Sequence, residues 1–152
     1  MSEEWLDDRE SKAWRGMKFM NMQLDAALAR ELAADSELSI QDYGVLVALT
    51  DEPDASLRAF ELADLLGWDK TRLSHHVKRM VARGLVSKQV CPSDRRGFDV
   101  TITAAGRSAI EAAAPAHVAA VRRLFIDLLT DDELDTIERV SAKVLGALDT
   151  PH

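Results

Sequence analysis

The chain has 152 residues, 47% of them hydrophobic, and a formal net charge of −7. This length holds one sizeable core and argues against two independent domains. A lone cysteine, Cys91, excludes an intrachain disulfide and fits a reducing, cytoplasmic setting. The acidic opening Met1–Asp8 lacks the basic start and apolar run of a secretion signal, and no segment has the length of an apolar membrane span. Excess acid would ordinarily disfavour a nucleic-acid partner, whose binding rests on phosphate neutralisation. Here the charge is segregated. Between Arg58 and Arg107, ten lysines and arginines stand against five carboxylates, a local +5, which leaves −12 for the remainder.

From Glu10 to Ala34, Trp14, Met17, Asn21, Leu24, Leu28 and Leu32 recur at intervals of three and four, which predicts one long amphipathic helix. Ser39 is placed to cap a second helix that turns Ile40, Tyr43, Leu46, Val47 and Leu49 inward and ends at Asp51-Glu-Pro-Asp. Leu57 reads as a minimal strand. Phe60 to Leu66 reads as a short helix stopped by Gly67, a residue suited to a left-handed C-terminal turn. Asp69 can cap the next helix, in which Leu73, Val77, Met80 and Val81 form the apolar face and Gly84 is the stop. At about 100° per residue the opposite arc carries Thr71, Arg72, His75, Lys78 and Arg79, with Ser74 at its edge. Such side chains reach base edges and phosphates.

Two alternating runs follow, Val86 to Cys91 and Phe98 to Thr103. Between them Pro92 to Gly97 reads as a turn carrying Arg95 and Arg96, so the hairpin has a basic tip. Thr103 can cap an alanine-rich helix with apolar positions at Ile110, Val118, Val121, Leu124, Phe125, Leu128 and Leu129 and a bend near Pro115. Thr130 to Glu133 has the form of a capping box. Behind it a last helix aligns Leu134, Ile137, Val140, Val144, Leu145 and Leu148.

A short helix, a turn, a second helix and a basic hairpin describe a winged helix-turn-helix, which sets one helix in a DNA groove. The expected fold is mainly α with a small β-hairpin wing. One domain spans 1–152, with a winged lobe over 39–106 and dimerisation helices at 10–34 and 107–148. The apolar stripes of the outer helices exceed what a small lobe covers, so a second copy is the expected partner.

The ordered set Leu62-Ala63, Leu66-Gly67, Ser74, Val77, Arg79, Gly84-Leu85-Val86, Asp94-Arg95-Arg96, Val100 to Thr103 and Gly106 resembles the signature of the MarR family of bacterial transcription regulators. The resemblance implies a homodimer on a pseudo-palindromic operator in double-stranded DNA, with one recognition helix per subunit in a major groove and each wing at an adjacent minor groove. By position it implies that Thr71, Arg72, Ser74, His75 and Lys78 face DNA, that Arg96 is the wing arginine, and that Asp94 braces it by a charge-assisted hydrogen bond. Arg95 adds a phosphate contact and Arg79 completes the basic face. His76 stands where the family is usually apolar, which leaves its burial open.

Other readings compete for some of these residues. His75 and His76 suggest a metal site, yet adjacent helical residues point about 100° apart and share an ion poorly; no cofactor or metal is expected. Cys91 suggests a redox switch, against a structural role at the base of the hairpin; redox-sensing relatives carry their reactive cysteine near the N-terminus, where this chain has none. Trp14, Met17 and Tyr43, with Met20 and Met22, either pack as core or line a pocket for a small aromatic or anionic ligand. No nucleophile elbow, phosphate loop or metal spacing points to an enzyme. For the whole chain, the expectation is a repressor released by a ligand. Its rivals are a winged-helix protein-interaction module, which would retard no duplex, and a low-specificity architectural DNA-binding protein, which would bind all sequences alike.

Overall fold

The computed structural model describes Trp5–Cys91 and Asp94–Asp149, apart from the side chains of Cys91 and Asp94–Arg96. The chain divides into two compact units, Met1–His117 and Val118–His152. The first begins with α1, Asp8–Asp35, capped by Asp7, whose carboxylate accepts from the Glu10 amide while Glu10 reaches back to the Asp7 amide. Helix α2, Ile40–Thr50, leads to strand β1, Ser56–Arg58, and then to α3, Ala59–Leu66, and α4, Lys70–Ala82. Strands β2, Val86–Cys91, and β3, Asp94–Ile102, follow, and α5, Ala104–Leu124, runs across the boundary between the units.

Helices α3 and α4 are joined by Gly67, Trp68 and Asp69. Gly67 adopts φ 69°, a left-handed conformation that glycine takes without steric cost, and the Trp68 amide bonds the Ala63 carbonyl. Asp69 then accepts from the Arg72 amide at 2.7 Å and starts α4 in a new direction. This is the turn of a helix-turn-helix.

The three strands form one antiparallel sheet in the order β1-β3-β2. Ser56 pairs with Thr101, their hydroxyls 2.8 Å apart, and Arg58 pairs with Asp99, to which its guanidinium forms an ion pair at 3.5 Å. Leu46 and Leu49 of α2, Leu62 of α3, Leu73, Val77 and Met80 of α4, and Val86 and Val100 of the sheet interlock in the core, joined by Leu32 of α1 and Ile110 and Ala113 of α5. The core therefore reaches into both flanking helices.

Gly106 shows how closely the wing root meets α5. A Cβ there would fall onto the Leu85 carbonyl, well inside van der Waals distance. That carbonyl accepts from the Thr103 amide, and the Thr103 hydroxyl donates to the Gly84 carbonyl and accepts from the Gly106 amide. Glycine is needed here for close approach.

The second unit contains the end of α5, a 3-10 turn at Ile126–Leu128 and α6, Asp131–Leu148. The expected helix through Leu129 stops earlier because Phe125, at φ −140° and ψ −67°, leaves helical geometry. Thr130 and Glu133 form the expected capping box. Ile137, Val140, Val144, Leu145 and Leu148 stay exposed along α6. Among the described residues, no helix is long and apolar enough to cross a membrane.

Candidate nucleic-acid interface

Helix α4 sorts its side chains as a half-buried cylinder must. Leu73, Val77 and Met80 are buried, while Thr71, Arg72, His75, Lys78 and Arg79 are exposed and Ser74 is half-buried at the boundary. One sequence expectation is corrected. Val81 is exposed at 38%, and His76 takes its place against the core at 9%. From Leu73, advancing about 100° per residue puts His76 about 60° to one side and Val81 about 80° to the other. A seam centred on Leu73, Val77 and Met80 therefore covers position 76 before position 81.

Burying an imidazole requires partners. His76 Nε2 lies 2.9 Å from Asp42 Oδ1, and Asp42 Oδ2 accepts from Arg83 Nη1 at 2.6 Å and from the Ser39 amide at 3.0 Å. Arg83 also donates from Nη2 to the Glu37 carbonyl at 2.6 Å. Asp42 is only 2% exposed. Burial alone pushes its carboxyl upward, but the hydrogen bonds from His76, Arg83 and Ser39, with the Arg83 charge, outweigh that and hold it well below the usual carboxylate range. It is therefore a carboxylate, tying the start of α2 to the middle and end of α4.

The outward cations are held by their neighbours. The Arg72 guanidinium lies 4.5 Å over the Trp68 ring, and Trp68 meets His76 edge-on at 5.3 Å. Arg79 Nη2 lies 3.1 Å from His76 Nδ1. On the sheet, the Lys88 ammonium lies 4.2 Å over Phe98. Ser39, Gln41, Arg72, His76, Arg79 and Arg83 are among the residues around a polar recess of about 500 Å³ beside the exposed arc.

The wing differs from expectation in extent. Instead of a turn over Pro92–Gly97, Cys91 pairs with Asp94, so the backbone of Asp94–Gly97 belongs to β3, with a register shift between Val90 and Cys91. Closing the hairpin this near its tip leaves three more residues on β3 than on β2, taken up at that register shift. The side chains of Arg95, Arg96 and Asp94, the proposed bracing contact and the environment of Cys91 lie outside the described residues.

Trp14 and Met17, about one turn apart on α1, share a shallow apolar depression with Leu6 and Ala13. Tyr43 does not line it. It is buried in the first unit with its ring 4.3 Å from that of His117, and desolvation raises the Tyr43 hydroxyl pKa and lowers that of His117. Sequence reasoning missed Asp42, Trp68 and Arg83. The spacing of Ser39 and Asp42 as a reciprocal cap was the available signal for Asp42; its partners are His76 in α4 and Arg83 at the C-cap of that helix.

A helix-turn-helix backed by a three-stranded wing, with a cationic arc on its second helix, defines a winged-helix regulator. The MarR family model matches residues 36–97. The chain is similar over nearly its whole length to AbsC, a MarR family transcriptional regulator from Streptomyces coelicolor, with 36% identity, 95% of this chain and 97% of that one covered, and a TM-score of 0.84. It is likewise similar to Sco3205, a MarR family transcriptional regulator from the same organism solved in complex with DNA, at 34% identity, 96% and 95% coverage and a TM-score of 0.87. The transcriptional regulator HosA of Escherichia coli O111:H- is 27% identical over 137 residues, covering 90% of this chain and 97% of that protein. The chain belongs to the MarR family, whose members are transcription regulators and not enzymes.

Proposed function

We propose that this MarR family member is a cytoplasmic, homodimeric repressor that occupies a pseudo-palindromic operator in double-stranded DNA. The α4 helix of each copy enters a major groove, and each wing lies against the neighbouring minor groove. The observation that carries this reading is the exposed arc of Thr71, Arg72, His75, Lys78 and Arg79 over a buried seam of Leu73, Val77 and Met80. Ser74 sits at the edge of the arc. In this reading Arg95 and Arg96 carry positive charge onto the wing, and the family resemblance assigns Asp94 to brace Arg96. The DNA complex of Sco3205 supports the reading by likeness.

Two copies are favoured by the apolar side chains that a single chain leaves in water, Trp14, Phe19, Met20 and Met22 on α1 and Val144, Leu145 and Leu148 on α6. Burying such faces against a twin holds two α4 helices at a fixed separation. A small aromatic or anionic ligand lodged on the apolar surface of Trp14 and Met17 would release the operator by favouring another separation.

Electrophoretic retardation of duplex DNA across a salt series tests the core of the proposal. With three or four phosphates neutralised per subunit, the logarithm of affinity should fall against the logarithm of salt with a slope of roughly −5 to −7. No retardation at low salt would contradict it and favour a protein partner.

A further inference from the structure

Arg79 is the basic residue of the exposed arc whose guanidinium is hydrogen-bonded from inside the protein. Its Nη2 donates, so His76 Nδ1, 3.1 Å away, must accept and carry no proton. The ring's proton then sits on Nε2, facing Asp42 Oδ1 at 2.9 Å. Asp42 is an ionised acceptor fixed from its other side by Arg83 and the Ser39 amide, so it admits only a donor at Nε2. The carboxylate thereby selects the tautomer, and the tautomer supplies the acceptor that Arg79 needs.

We infer that His76 is a positioning residue for operator binding: through the Asp42–His76–Arg79 chain, the buried carboxylate orients the Arg79 guanidinium on the DNA-facing side of α4. The inference rests on the DNA-binding reading above. An arginine side chain left free in water must give up rotamer freedom on reaching a phosphate or base. One already held at its Nη2 gives up less, while its remaining N–H groups stay available. A leucine at position 76 would fill the seam equally well, yet it would offer Arg79 no acceptor and leave Asp42 short of a donor.

The test is a double-mutant cycle in operator affinity, at fixed salt, with thermal unfolding measured in parallel. His76→Leu should weaken binding roughly three- to tenfold, the effect of losing one hydrogen bond, and should weaken it no further in an Arg79→Ala background. His76→Gln, whose amide both donates and accepts, should recover most of that loss. Equal losses in both backgrounds, or a His76→Leu protein that binds like wild type, would overturn the inference while leaving DNA binding intact. Wild-type protein that binds no duplex would remove the DNA reading and the inference together. Should His76→Leu not fold, imidazole ¹⁵N shifts of the wild-type protein decide the point. The neutral Nε2–H form supports the inference, and the Nδ1–H form or a cation at neutral pH refutes it.

Discussion

Replacing Asp42 by alanine is the sharpest test of how α4 is held. The carboxylate accepts from His76 Nε2, the Ser39 amide and Arg83 Nη1, at 2.9, 3.0 and 2.6 Å. Removing it leaves the His76 N–H buried and the Ser39 N–H half-buried without acceptors, at about 1–3 kcal/mol each for full burial. Arg83, with a side chain 42% exposed, regains water and adds little. The expected loss is about 2–4 kcal/mol, at or below the usual cost of breaking a fully buried pair. Urea unfolding reads it as a lower midpoint at unchanged slope, with wild type and variant at the same protein concentration, since any self-association makes the midpoint move with concentration. A loss below about 1 kcal/mol would refute the reasoning, because that is less than one unpaired buried donor costs.

The same carboxylate sets an acid dependence. Its pKa is lower folded than unfolded, so its stabilisation is full above the unfolded value, about pH 4, and is lost as pH falls through the folded one. The stability gap between wild type and Asp42→Ala should therefore narrow as the solution is acidified below about pH 4, and a constant gap would contradict this. Gly106→Ala should cost about 3 kcal/mol in the same urea assay, because the new methyl meets the backbone carbonyl of Leu85, which cannot move without disturbing the Thr103 contacts; an unchanged midpoint would contradict it. Arg72→Ala should cost roughly 1–3 kcal/mol and relax preference at one operator position, whereas Arg96→Ala should weaken all duplexes evenly and lower the salt slope. Competition binding with single-base operator variants separates the two patterns.

Much of the scaffold was legible because local chemistry and tertiary packing agree. Ser39, Asp69 and Thr130 cap the helices they were expected to cap. Gly67 and Gly84 take positive φ where stops were expected. The arc of Thr71, Arg72, His75, Lys78 and Arg79 followed from helical geometry alone. What escaped notice depends on pairs distant in sequence. Nothing local to His76 announces a carboxylate 34 positions earlier, and an apolarity-based seam prefers Val81 to a histidine. The extension of β3 to Asp94 was hidden because the hydrophobic alternation begins only at Phe98, while ladder pairing between Cys91 and Asp94 is a backbone property. Residue type alone puts Tyr43 with Trp14 and Met17, whereas packing sets it beside His117.

Selection of bound sequences from a pool of random duplexes tests the central claim most directly. A reading head presented twice by a symmetric dimer should enrich two inverted half-sites with centres about one helical turn apart, roughly 10 base pairs. Enrichment of a single unrepeated motif, or of nothing at all, would contradict it.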